Sequence, residues 1–286
     1  MEISTCRRAA APEALPMLLR STTAAPRPLS LVPAAASEAR RPTALPSRAA
    51  LASVDSFTPA AKARPSTGTG STTPVPTTPG GSPTDGLKDK ALIQALHDAS
   101  AQHKDLGYNQ ARKIIFTALD NHDGKVECVY TGRELATDKI PNSNDMNTEH
   151  SWPQSKGATG AAKSDLHHLF PTDSKANSIR GNYPFGVVKD VKWSQDGSKF
   201  GKDANGQLVF EPRDEHKGNV ARALFYFSTV YGKPIPAGDE AVLKQWNKLD
   251  QVDAAEVARN DAIQGYQGNR NPFVDDASLA DRISDF

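Results

Sequence analysis

The first 86 residues carry no sustained apolar period. They are crowded with Ala, Pro, Ser and Thr, as in "STGTGSTTPVPTTPGGSPTDG" at residues 66–86. Such a segment buries too little apolar surface to offset backbone ordering, which costs about 1–2 kcal/mol per residue, so disorder is expected there. Any fold must come from residues 87–286, whose length of roughly 200 residues suffices for one domain with its own core.

Charge divides at nearly the same place. Residues 1–84 hold 9 Lys and Arg against 4 Asp and Glu, net +5, whereas residues 85–286 hold 25 against 29, net −4. The expected domain is therefore not basic as a whole. A phosphate-binding face would have to be a local patch, drawn mostly from residues 150–235, where 12 Lys and Arg meet 8 Asp and Glu.

Cys6 and Cys128 are the two cysteines, one on each side of the boundary, which excludes a disulfide within the domain. The fold must rest on its core. No apolar run approaches the roughly 18 residues of a membrane span. The amino-terminal stretch has early arginines, but Pro12, Glu13 and Pro16 break its apolar part, so it gives no clear export signal.

Within the domain, "TDGLKDKALIQALHDASAQH" places Leu87, Ala91, Leu92, Ala95 and Leu96 at helical spacing behind Asp85 as an expected cap. A second helix is expected at "YNQARKIIFTALDNHDG", ended by residues 121–124. "KVECVYTG" alternates as a short strand, and "DLHHLFPTD" as another, with Leu166, His168 and Phe170 on one face and His167 on the other. "SKANSIRG" is expected to be a short helix capped by Asp173 or Ser174 and stopped by Gly181. A hairpin is expected between residues 187 and 212, with turns at Asp196-Gly197 and Asn205-Gly206. Helices then follow at "KGNVARALFYFSTVYG", "DEAVLKQWNKLD" and "DAAEVARNDAIQGYQ". The expected class is α+β: a mainly helical single domain with a small antiparallel sheet.

The chemistry concentrates between "NTEHSWPQS" at 147–155 and Asn182, where Glu149, His150, Asp165, His167, His168, Asp173, Asn177 and Arg180 crowd together. Phosphodiester hydrolysis calls for this mixture. An attacking water must lose a proton, negative charge accumulates on phosphorus oxygens, and the leaving oxygen must be neutralised. A histidine with a pKa near ~6.5 can accept the proton, and a divalent ion held by oxygen ligands can stabilise the charge.

"NTEHSWPQS", then "KSDLHHLFPTDSKANSIRGNYPFG", "FEPRDEHKGNVARALFYF" and "ARNDAIQGYQGNRNPFVDDASLA", resemble the endonuclease I family of bacterial nucleases over roughly residues 88–282. The resemblance implies a ββα-metal (His-Me) finger made by residues 147–153, strand 165–171 and helix 174–180. It implies His150 as general base, Glu149 and Asn177 as ligands of one divalent cation, usually Mg2+, and cleavage leaving 5′-phosphate and 3′-hydroxyl ends. Magnesium suits such a site because it prefers oxygen ligands and retains several waters. The lone domain cysteine departs from disulfide-bearing family members. The resemblance also implies a secreted or periplasmic location.

Other residues have weaker claims. His167 and His168 look like zinc ligands, yet neither H-E-x-x-H nor C-x-x-C is present. A supporting role beside the site is expected for them, with one packed in the core, and Asp165 is expected to orient a neighbour. Arg180 and Arg222 are candidate substrate contacts. The expected partner is DNA, with RNA as the alternative polymer, and the expected state is a monomer without membrane attachment. Two rival readings remain: a metal-dependent phosphodiesterase of small molecules, and a non-catalytic secreted binding module on a nuclease fold.

Overall fold

Leu92, Leu96 and Ser100, spaced by four, are the buried stripe of α1 (Asp89–Ser100), and α2 (Tyr108–Ile114) follows with Ala111 and Ile114 buried. The structure, a computed structural model, describes residues 83–286; of the disorder expected over residues 1–86, residues 1–82 lie outside the described residues, whereas residues 83–86 form a turn whose Thr84 carbonyl accepts from Arg282. α1 begins at Asp89, so Asp85 is not its cap; the carboxylate of Asp89 instead accepts from the main chain and hydroxyl of Ser284. α2 relaxes into a wider turn over Ile115–Leu119, closed by the Asp120 amide on the Ile115 carbonyl.

The Asn-His-Asp-Gly cluster does more than end a helix. Asp123 and Gly124 both adopt left-handed φ, 52° and 77°, and so turn β1 (Asn121–His122) back onto β2 (Lys125–Glu127), which pairs in turn with β3 (Glu134–Ala136). The expected single strand at 125–132 is thus a three-stranded antiparallel sheet. β4 (Met146–His150) and β5 (Leu169–Asp173) form a separate antiparallel pair in unbroken register, with Glu149 opposite Phe170 and His150 opposite Leu169. The expected strand at 165–171 is displaced. The Asp165 carboxylate accepts the His167 amide, and this local turn coils residues 166–168 into a 3-10 segment before β5 begins.

α3 (Ser174–Arg180) follows β5 directly and stops at Gly181. Asp173 does not cap it by side chain, because its carboxylate is taken by Arg133 and Thr131. The expected hairpin is a three-stranded meander, β6 (Asp190–Gln195), β7 (Ser198–Lys202) and β8 (Leu208–Glu211). Its first turn is the expected Asp196-Gly197, with both φ positive.

α4 (Lys217–Tyr231) is the centre of the core. Apart from Asn219 it is buried all round from Lys217 to Val230, not along one stripe alone. A helix without a solvated face must sit among neighbours, and α4 packs against α1, α5 (Ala237–Leu249) and α7 (Pro272–Asp275). α6 (Ala254–Gln267) completes the helical part. Small antiparallel sheets around a helical core make the described residues one α+β domain.

Candidate active site

β4, β5 and α3 bring the chemistry-bearing residues together. β4 pairs with β5 alone, and α3 runs along its other edge: the Asn177 side-chain amide donates to the Thr148 carbonyl at 3.4 Å, and Arg180 Nη1 donates to the His150 carbonyl at 3.0 Å. Asn177 and Arg180 lie three apart and so share a face of α3.

Along β4, alternation turns Glu149 and His150 to opposite sides, and their partners differ accordingly. Glu149 is 1% exposed. Its Oε1 accepts from Tyr130 Oη at 2.9 Å and forms an ion pair with Arg180 Nη1 at 2.9 Å. Burial pushes its carboxyl upward, against the opposing pull of Arg180 and Tyr130. Asn147, two residues earlier on the same face, offers Oδ1 to Asn177 Nδ2 at 2.6 Å.

His150 faces Tyr108 and His168, with ring centroids at 5.4 and 5.6 Å. Its Nε2 lies 3.1 Å from the Lys163 carbonyl. A carbonyl can only accept, so Nε2 carries the proton and Nδ1 keeps its lone pair. Gln154 Nε2 lies 3.5 Å from Nδ1. Burial, then the neighbouring His168, lowers the imidazole to about 3. The His150 ring is thus neutral with a fixed tautomer, and burial takes it below the ~6.5 expected of a proton acceptor. β4 ends at His150, and the chain then turns through Ser151 and Trp152. Trp152 secures the turn by stacking on Phe227 at 4.8 Å and donating Nε1 to the Lys156 carbonyl.

The donor set suits a hard cation. Both contacts of Glu149 fall on Oε1, and the two hydrogen bonds of Asn177 use its nitrogen, leaving its carbonyl oxygen. The Thr148 carbonyl can only accept, which fixes the orientation of that amide. Among the described residues no group of three or more His, Cys, Asp or Glu is placed to hold a metal ion.

The remaining expected residues lie elsewhere or do other work. Arg180 is 2% exposed and spends its guanidinium on Glu149 and on the carbonyls of His150 and Ser151; it braces the end of β4. Arg222 was expected to contact substrate, but it is fully buried, paired with Glu256 at 2.5 Å and bonded to Asn247 and the Asp250 carbonyl. Asp165 orients groups of the core: it accepts from Tyr226, Tyr231, Gln267 and the His167 amide. Burial opposes its charge, yet His167, His168, His103 and Gln267 hold it at about 2. His167 belongs to that network, against Tyr226 and the Asn269 carbonyl. His168 donates Nε2 to the Ala162 carbonyl at 2.6 Å and walls the His150 ring. The sequence reading missed Tyr130, Asn147, Gln154 and Lys163. Asn147 was findable, since it lies two residues before Glu149 on one strand face; Tyr130 and the Lys163 carbonyl carried no local signal.

A cavity of about 370 Å³ opens beside the turn, against Ser151, Trp152, Arg180 and Phe185. A larger one, about 510 Å³, lies away from His150 against Phe170, His216 and Arg259. Its cations are already matched, Arg259 by Asp120 and Arg213 by Glu127, so size does not mark the reactive centre.

A family model described as Endonuclease I matches residues 91–278. The "Extracellular ribonuclease" of Bacillus amyloliquefaciens is 36% identical over 226 residues, covering 69% of this chain and 75% of that protein. That of Bacillus subtilis (strain 168) is 33% identical over 70% of this chain and 76% of its own. The "Periplasmic deoxyribonuclease" of Aeromonas hydrophila is 32% identical over 116 residues, 39% of this chain and 47% of that protein.

Proposed function

This chain belongs to the Endonuclease I family, and on that premise we propose that it is a metal-dependent endonuclease hydrolysing phosphodiester bonds of RNA and DNA with little regard to sequence. The observation that carries the mechanism is the hydrogen bond from His150 Nε2 to the Lys163 carbonyl. It presents an unprotonated Nδ1 at neutral pH, able to take a proton from water as the water attacks phosphorus. Water held there needs no 2′-hydroxyl, so the same base serves either polymer, leaving a 5′-phosphate and a 3′-hydroxyl.

Glu149 and Asn177 would hold the cation, magnesium by its preference for oxygen; when bound, it supplies charge stabilisation to the phosphate and the leaving oxygen. Arg180 opposes the upward push of burial on the Glu149 carboxyl and ties the carbonyls of His150 and Ser151 at the end of β4. Residues 87–286 constitute the nuclease domain, and work outside the cytoplasm agrees with relatives named extracellular or periplasmic. RNA ranks beside DNA because the relatives matched over most of the chain are named ribonucleases.

The test is cleavage of end-labelled DNA, RNA and 2′-O-methyl RNA, each with magnesium and with EDTA. Cleavage of all three with magnesium and of none with EDTA is expected. Cleavage of RNA alone, with the 2′-O-methyl polymer intact, would replace water by the 2′-hydroxyl as nucleophile.

A further inference from the structure

Tyr108 opens α2 and packs on His150, and two cations lie over the same tyrosine ring. Lys163 Nζ is 4.9 Å and Arg112 Cζ 5.8 Å from its centroid. Lys163 is also the residue whose carbonyl holds His150 Nε2; its main chain sets the base while its side chain returns to the same face. The site's other side is neutralised internally, by the pairing of Arg180 with Glu149. This side is not.

Elsewhere in the described residues arginine is consistently engaged. Arg133, Arg180, Arg213, Arg222, Arg259 and Arg270 all pair with carboxylates, and Arg282 is held by the Thr84 and Leu87 carbonyls. Among the described residues Arg112 is the arginine whose side chain makes neither a hydrogen bond nor an ion pair, and the Lys163 side chain has no carboxylate partner. Two positive groups gathered on one ring without a counter-charge favour an anion from outside.

We propose that Tyr108, Arg112 and Lys163 form a seat for a backbone phosphate next to the one cleaved at His150. The inference rests on the nuclease reading and adds a site for substrate that flanks the scissile bond. The guanidinium and ammonium supply the charge, and the ring that packs on His150 gathers both charged groups beside the base. A phosphate contact of this kind positions a strand without reading its bases.

Binding of a fluorescein-labelled oligonucleotide to the full-length chain, measured by anisotropy in EDTA across a salt series, tests this directly. Arg112→Gln and Lys163→Gln are each expected to weaken binding at low salt and to reduce the slope of log K against log salt by roughly 0.7–0.9. Arg112→Lys and Lys163→Arg, which keep the charge and the folded surface, are expected to keep the slope. Lys113→Gln, the same charge change one helix position away, is expected to leave it unaltered. An unchanged slope in the Arg112→Gln/Lys163→Gln pair, or an equal loss in Lys113→Gln, overturns the phosphate seat. Wild-type hydrolysis of the same oligonucleotide in magnesium is measured alongside. Hydrolysis with unchanged slopes defeats this inference alone, whereas absence of hydrolysis defeats the nuclease reading.

Discussion

The His150 imidazole and the Lys163 carbonyl meet at 3.1 Å through Nε2, and this one hydrogen bond decides which ring nitrogen can accept a proton. The expected outcome in 15N NMR of the EDTA-treated protein at pH 7 is a neutral His150 ring protonated at Nε2. A ring protonated at Nδ1 would leave the lone pair facing a carbonyl, and the base role would fail.

Stability should fall in acid because histidines are buried neutral. Burial lowers His167 to about 4 and His216 to about 3, in His167 against the opposing pull of Asp165. The unfolded chain binds these protons near pH 6.5 and the folded one does not, so their contribution is full above pH 6.5 and is lost as pH falls towards 4. Each costs about 1.4 kcal/mol per pH unit within that window. His216 Nε2 has no partner, and its ring packs on Phe170 and Tyr130, so His216→Phe should fold and flatten the pH dependence by one proton. Urea unfolding at pH 7 and 5 measures this, and equal slopes for wild type and variant would refute it.

Arg180 is expected to act on stability before substrate affinity. Arg180→Met leaves Glu149 buried without its ion pair, which costs about 3–5 kcal/mol. A lowered melting temperature is the expected result; an unchanged one with a raised KM would make Arg180 a phosphate ligand instead.

Arg222 makes the same point more sharply. Arg222→Met alone should destabilise by about 3 kcal/mol or more, because Glu256 is left buried, whereas Arg222→Met with Glu256→Leu should recover most of that loss. KM for nucleic acid should not change in the double variant, as measured by steady-state cleavage.

How far these residues could be read in advance depended on how local their partners are. The short helix α3 was legible from its own residues, and Gly181 ends it as the sequence implies. Asn177 entered only through the family resemblance, and Arg180, expected on substrate, is spent on Glu149 and main-chain carbonyls. Arg222 was misread because its carboxylate lies 34 residues away, where no periodicity announces it. Asp165 and Gln267 meet across 102 residues. The histidine pair was misplaced by a single local bond, the Asp165 carboxylate on the His167 amide, which coiled a stretch whose apolar alternation read as a strand.

The central claim is that His150 is the base, and its most direct test is the rate of plasmid and RNA cleavage in magnesium by wild type and His150→Ala, with thermal melts of both. A loss of about 10²–10⁴-fold with melting and oligonucleotide binding preserved is the predicted result. Cleavage by His150→Ala at close to the wild-type rate would contradict the account.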